Sequence, residues 1–293
     1  SVELLAVAVG VLLLNGWLAK AGRVRLPRGK GLGQKVLSLG RLRWLVSTGA
    51  WATAITLIVL PLGAIFLTGL QPTWGQWGSL TFKHWGVVVQ PRTLQAMGVS
   101  LALALFAALL VGAIGLMIAM TKRRWLETLA DAPSAIPGTV LALALLVTFS
   151  RDVRVVAFER VAFVLALGNT FWLLLLSYVV KHLALGVRSS SDALSQADPT
   201  LGEAARLSGA GRFRAFVDGI FPQLRGALSA AVLLTFLTCV SELTMSVLLI
   251  PTGNDVLGTL LFELQSYADP GSAAVIASAL LLVVLAALLV QSA

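Results

Sequence analysis

Charge is scarce in this chain: only 12% of its 293 residues are Asp, Glu, Lys or Arg, about half the share of an ordinary soluble domain. With 58% hydrophobic residues and a mean hydropathy of +0.91, that deficit excludes a solvated globular protein and places the chain in a membrane. Cysteine is nearly absent. Cys239 stands alone, so an intrachain disulfide is impossible, and its place in an apolar run suits a small packed side chain. Two histidines, His84 and His182, cannot close a zinc site with one thiol, and no metal or cofactor is expected. Neither GxSxG nor HExxH occurs. "GKGLGQKVL" at 29–37 has the outline of a phosphate loop, but Gln34 replaces the second glycine and Val36 the Ser or Thr. The chain is therefore expected not to be an enzyme, and any energy for its work comes from another molecule.

What is present is a series of long apolar runs, several near the roughly 20 residues that a helix needs to cross a bilayer, without the short alternation of barrel strands. The expected fold is all-α, a polytopic transmembrane bundle with helices at about 2–19, 44–70, 96–120, 134–150, 161–181, 227–250 and 272–291. The last six form a core, and the first is an extra N-terminal helix.

Basic residues alternate with these runs. Eight lie between Lys20 and Arg43 with no acid among them, Lys122, Arg123 and Arg124 follow the third run, and Lys181, Arg188, Arg206, Arg212, Arg214 and Arg225 accompany a long polar stretch. Those loops hold 17 of the 22 basic residues and are assigned to the cytoplasm by the positive-inside bias. The +9 charge is thereby explained by orientation, and its spread over three loops argues against nucleic acid. With 20–43 inside, Ser1 is expected outside. Residues 1–43 are expected to be the last helix and basic linker of a preceding half, and 44–293 a second unit with a cytoplasmic loop at about 183–226.

That loop has internal order. In "DPTLGEAARLSGAGRFRAFVDGIFPQLRGALSAA", Thr200 and Glu203 have the spacing of a capping box, Gly209 or Gly211 suits a left-handed helix end, and Phe213, Phe216, Val217 and Ile220 predict a second amphipathic helix running to Pro222. Two short helices with a bend are expected at the cytoplasmic surface.

Glu203-Ala204-Ala205, Gly209 six residues after the Glu, and Phe221-Pro222 resemble the EAA loop of ABC-importer permeases, in which EAA is followed by Gly and then by Ile-x-Leu-Pro. Gly219 stands where Ile is expected and Phe221 where Leu is expected, with Ile220 between them. The resemblance extends from about Arg43 to the C-terminus, through Ile136-Pro137-Gly138 and "VSELTMSVLLIPTGNDVLGTLLFELQSYADPGSAA". It is similar to the branch that moves ferric iron, with thiamine, polyamine and aminophosphonate relatives, often as two fused halves. It implies a multi-pass protein of the bacterial inner membrane whose partners are a dimeric ATP-binding subunit, an extracytoplasmic solute-binding protein, a second permease half and membrane lipid. It also implies that Glu203, Ala204, Ala205, Gly209, Phe213, Phe216, Ile220 and Pro222 couple to the ATPase.

Ferric iron is the expected solute, on this resemblance and on the outer-side acids Asp255, Glu263 and Asp269. Polyamine, thiamine or phosphonate, or a membrane scaffold or enzyme subunit that transports nothing, are the alternatives. Glu242, Asn169 and Thr170 are the candidates for the translocation path. Glu242 is either an interior ionisable group or shallow enough for headgroup water, and the other two either line the path or bond between helices. Trp74, Trp77 and Trp85 are expected outside, as an interfacial belt or a lid over the outer mouth.

Overall fold

A computed structural model describes residue 40 and residues 42–73, 75, 76, 78–151, 153–157 and 160–292. The expected helix at 2–19, nearly all of the basic linker, and Trp74 and Trp77 lie outside them. The chain divides into two units, 1–54 and 55–293. The described helix of the first is α1, Leu42–Ala54; the second opens with a π-helical turn, Ile55–Val59, and α2, Leu60–Thr68.

Apolar length dictates most of the architecture. Leu42–Thr68, Pro91–Met120, Phe171–Gln196, Arg212–Val240 and Pro270–Leu289 are long and apolar enough to cross a membrane. A sixth crossing is available from Arg124–Ala135 with Gly138–Thr148, two pieces bent by 103°. The protein is a multi-pass helical bundle. Its named helices continue as α3 Pro91–Met120, α4 Arg124–Asp131, α5 Gly138–Thr148, α6 Phe171–Gln196, α7 Pro199–Leu207, α8 Arg212–Ala215, α9 Phe221–Val240, α10 Thr244–Leu249, α11 Leu257–Glu263 and α12 Pro270–Ser292.

Three expected helices differ from those that form. The run at 134–150 is broken because Pro137 has no N–H and forces Ile136 to extended backbone (φ −86°, ψ 132°), so α5 starts afresh at Gly138. The run at 227–250 is interrupted at Ser241–Leu243 between α9 and α10. The helix expected at 161–181 starts only at Phe171, because Val153–Ala157 and Arg160–Leu165 pair as an antiparallel hairpin with Val153 opposite Leu165. This segment is rich in β-branched valine, and a short apolar run cannot by itself be assigned to helix or strand. α6 then continues to Gln196, fifteen residues past the expected end, so the first third of the expected 183–226 loop belongs to it.

The core is made by α3, α6 and α9. α3 buries Ala96, Ala104, Ala107, Ala108, Val111, Gly112, Gly115 and Ala119 while Leu105, Phe106, Leu109 and Met117 are exposed. Lipid is as apolar as leucine, so small residues collect where backbones touch and large ones face outward. The closest point is Gly115 against Gly186, where a Cβ on Gly115 would collide with the Gly186 carbonyl carbon.

Candidate functional site

Two polar regions stand out: the platform between α6 and α9, and the loops and helix breaks toward the opposite end of the bundle. In the platform, the carboxylate of Asp198 accepts the Thr200 N–H at 2.9 Å and caps α7, whose first residue is Pro199. Thr200 is thus the second residue of the helix rather than its cap, and the capping-box role expected for Glu203 is not used. A proline-led first turn moves the cap one step earlier than hydroxyl spacing suggests. The Thr200 N–H holds the Asp198 carboxyl below its ordinary range.

α7 ends as expected. Gly209 has φ +88°, its N–H bonds Arg206 O at 3.0 Å, and Ala210 N–H bonds Ala205 O at 3.0 Å, the paired bonds of a left-handed helix end. Beyond this bend, the second amphipathic helix does not stop at Pro222. α8 passes through the π-helical segment Phe216–Ile220 directly into α9, and Pro222 sits in the first turn, where its missing N–H costs nothing. The face that packs inward is Ala215 and Gly219, not the phenylalanine row. A Cβ on Gly219 would lie 2.9 Å from Leu201 O and 3.1 Å from the Gly202 Cα, while one on Gly202 would lie 3.0 Å from Ile220 Cδ1. Glycine in place of the family's isoleucine therefore lets α7 lie against the foot of α9, with Ile220 covering Gly202.

Gln223, which sequence reasoning missed, locks the pair together. Its side chain accepts the Asp198 N–H at 2.9 Å and donates to the carbonyls of Asp198 at 3.2 Å and Gly219 at 3.0 Å. Glu203, Ala204 and Pro222 are exposed, Ala205, Phe216 and Ile220 half-buried, and Phe213 is 81% exposed. Leu207, 90% exposed, adds a second apolar knob at the bend. Its position beside Gly209, at the last residue of α7, was the available signal.

The path candidates are polar atoms already engaged. Glu242 follows the end of α9, and its Oε1 accepts the N–H groups of Thr244 (3.1 Å) and Met245 (3.3 Å), capping α10 across the break. Asn169, at φ +55°, accepts the Thr252 N–H at 2.8 Å and so ties the hairpin exit to the turn after α10. Thr170 bonds back to Leu167 O. Tyr178 donates to Ser246 and Ser246 to Glu242 O, at 2.7 and 2.6 Å, joining α6 to the same break.

The acids expected to draw a cation have partners. Arg92 bridges Asp255 at 2.6 Å and Glu263 at 2.5 Å. Asp269 accepts from His84 Nδ1 at 2.9 Å and from the Ser272 hydroxyl at 2.5 Å. Burial raises the Asp269 carboxyl, but Ser272 and His84 outweigh it and leave it below the ordinary value. Among the described residues no group of three or more metal-ligating side chains is assembled. Trp85 packs edge-on against Phe66 with ring centroids 5.5 Å apart.

Comparison with known proteins supplies the context for both regions. Residues 104–293 match the family model "Binding-protein-dependent transport system inner membrane component". The chain is 29% identical over 193 residues to the sulfate transport system permease protein CysT of Salmonella typhimurium, covering 64% of this chain and 67% of that one. It is 23% identical over 199 residues to the putative ferric transport system permease protein FbpB 1 of Haemophilus influenzae, covering 64% of this chain and 30% of that one. Its fold is similar to a bacterial alginate ABC transporter solved with an alginate-bound periplasmic protein, with a TM-score of 0.64, 16% identity, and 85% and 91% of the two chains covered.

Proposed function

The chain belongs to the binding-protein-dependent transport system inner membrane components, the permeases of ABC importers, and on that premise we propose how it couples and what it carries. The platform of α7 and α8 receives the stroke of a dimeric ATP-binding subunit, with Leu207 and Phe213 as the apolar knobs that enter it. Glu203, Ala204, Ala205, Gly209, Phe216, Ile220 and Pro222 shape the surface around them. A second permease half completes the path, and a soluble binding protein delivers solute at the outer loops.

The observation that carries this reading is stiffness. A cap at Asp198, a left-handed end at Gly209, the Gly202–Gly219 approach and the three Gln223 bonds tie α7 to the foot of α9. Because α8 runs without a break into the 29-residue span Arg212–Val240, a displacement of the platform moves a membrane helix. A slack loop would absorb it.

The solute is a small oxyanion of the sulfate class. The sulfate relative supports this, and the pairing of Asp255, Glu263 and Asp269 with Arg92 and His84 removes the free carboxylates on which a ferric-iron site would draw. Ferric iron is the second reading, favoured by the 23% relative. Cells lacking the chain and cells re-expressing it are compared for uptake of [35S]sulfate and of 55Fe(III). Restored sulfate uptake with unchanged iron uptake is expected, and the reverse pattern selects iron.

A further inference from the structure

Lys181 lies ten residues into α6 from Phe171, about 15 Å along the helix axis; with Phe171 at the outer edge of a hydrocarbon layer about 30 Å thick, that is near its middle. Counted from sequence it joins the cytoplasmic basic set, but the helix carries it into the span. Its ammonium donates at 2.7 Å to the carbonyl of Ile136, the residue turned out of helical geometry before Pro137. Among the described residues no carboxylate comes within ion-pair distance of it, and Ile136 O is the one acceptor it reaches, leaving two N–H donors open.

The second helix break lies close by: a Cβ on Gly138 would stand 3.5 Å from Thr244, two residues past Glu242. The neighbouring His182 has its Nε2 buried with no partner among the described residues. A membrane chain keeps an uncompensated cation at this depth only where something answers its charge, and paired breaks in spanning helices are where transporters hold solute. Glu242 caps the second break through two backbone N–H groups and is not within ion-pair distance of Lys181, so the open ammonium donors of Lys181 suit acceptor-rich anionic oxygens.

We infer that Lys181 is the mid-membrane contact for the transported oxyanion, its free ammonium donors binding the solute between the outer and inner openings of the path. This rests on the oxyanion reading above. Lys181→Gln keeps a donor for the Ile136 carbonyl but removes the charge, and Lys181→Arg keeps both. Both variants are expressed as the full chain with its transport partners, and membrane level, co-purified ATPase and [35S]sulfate uptake are measured. The expected result is uptake at least tenfold lower in Lys181→Gln, at unchanged membrane level and ATPase retention, with Lys181→Arg within about threefold of the parent. Parental uptake in Lys181→Gln overturns the contact while leaving the oxyanion reading intact. Equal losses in both variants also overturn it, since packing rather than charge would then govern the position. A parent chain that carries 55Fe(III) and no sulfate overturns the oxyanion reading and the contact with it.

Discussion

Gly209 offers a test of the platform in which conformation is separated from crowding. Its φ of +88° lies in the left-handed region, yet a Cβ built there meets nothing within 4 Å among the described residues, so a substitution is opposed by backbone handedness. An L-residue in that region costs about 1–2 kcal/mol, a β-branched one the upper end because its χ1 is also restricted, and asparagine the least. If Gly209→Val escapes the cost by turning right-handed, it gives up the Gly209–Arg206 and Ala210–Ala205 bonds, each worth about 0.5–1.5 kcal/mol. Either route depopulates the aligned bend by roughly 5–30-fold without touching a membrane helix. Solute uptake, ATPase co-purification and membrane level are compared for Gly209→Val, Gly209→Asn and the parent. The expectation is normal membrane level in all three, uptake down about fivefold or more in Gly209→Val with less ATPase retained, and near-parental behaviour in Gly209→Asn. Normal uptake in Gly209→Val, or an equal loss in Gly209→Asn, would refute the argument from handedness.

Gly115→Leu forces apart the backbones of α3 and α6 and should cost at least the roughly 1–3 kcal/mol of an overpacked core. The variant should fail to accumulate in the membrane, whereas Gly98→Leu on the same helix, where a Cβ has open space, should accumulate normally. Asp269→Asn weakens the His84–Asp269 pair, so amides of 83–89 should exchange faster with solvent while those of α3 are unchanged. Because the Asp269 carboxyl is lowered from 3.8, its stabilising contribution is complete above that pH and is lost only as pH falls below it. Titration of the Asp269 carboxyl should therefore alter the exchange of 83–89 only below pH 3.8.

The membrane character, the spans expected at about 44–70, 96–120 and 272–291 and the bend at Gly209 were legible because each rests on local chemistry: composition, helix length, and the one residue that takes a left-handed turn without strain. The spacing of Glu203, Ala204, Ala205 and Gly209 marked the platform. Its cap was misread because Asp198 and Thr200 are both good capping residues, and only the folded first turn, opened by Pro199, shows which one accepts the N–H. Phe213 and Phe216 shared a predicted face, yet one is exposed and the other half-buried, since a continuous helix from Arg212 to Val240 turns Ala215 and Gly219 toward α7 instead.

Sequence by itself determined that this chain crosses a membrane as helices and carries an ordered polar stretch between two of them, because hydrophobic length and glycine handedness act within a few residues of where they are written. Only the tertiary structure decided that Gly219 is the contact between α7 and α9, that Arg92 answers Asp255 and Glu263 from more than 160 positions away, and that Lys181 stands mid-helix beside the Ile136 carbonyl. Those pairings join residues far apart in the chain, and their energies exist only once packing has removed the alternatives that water or lipid would offer.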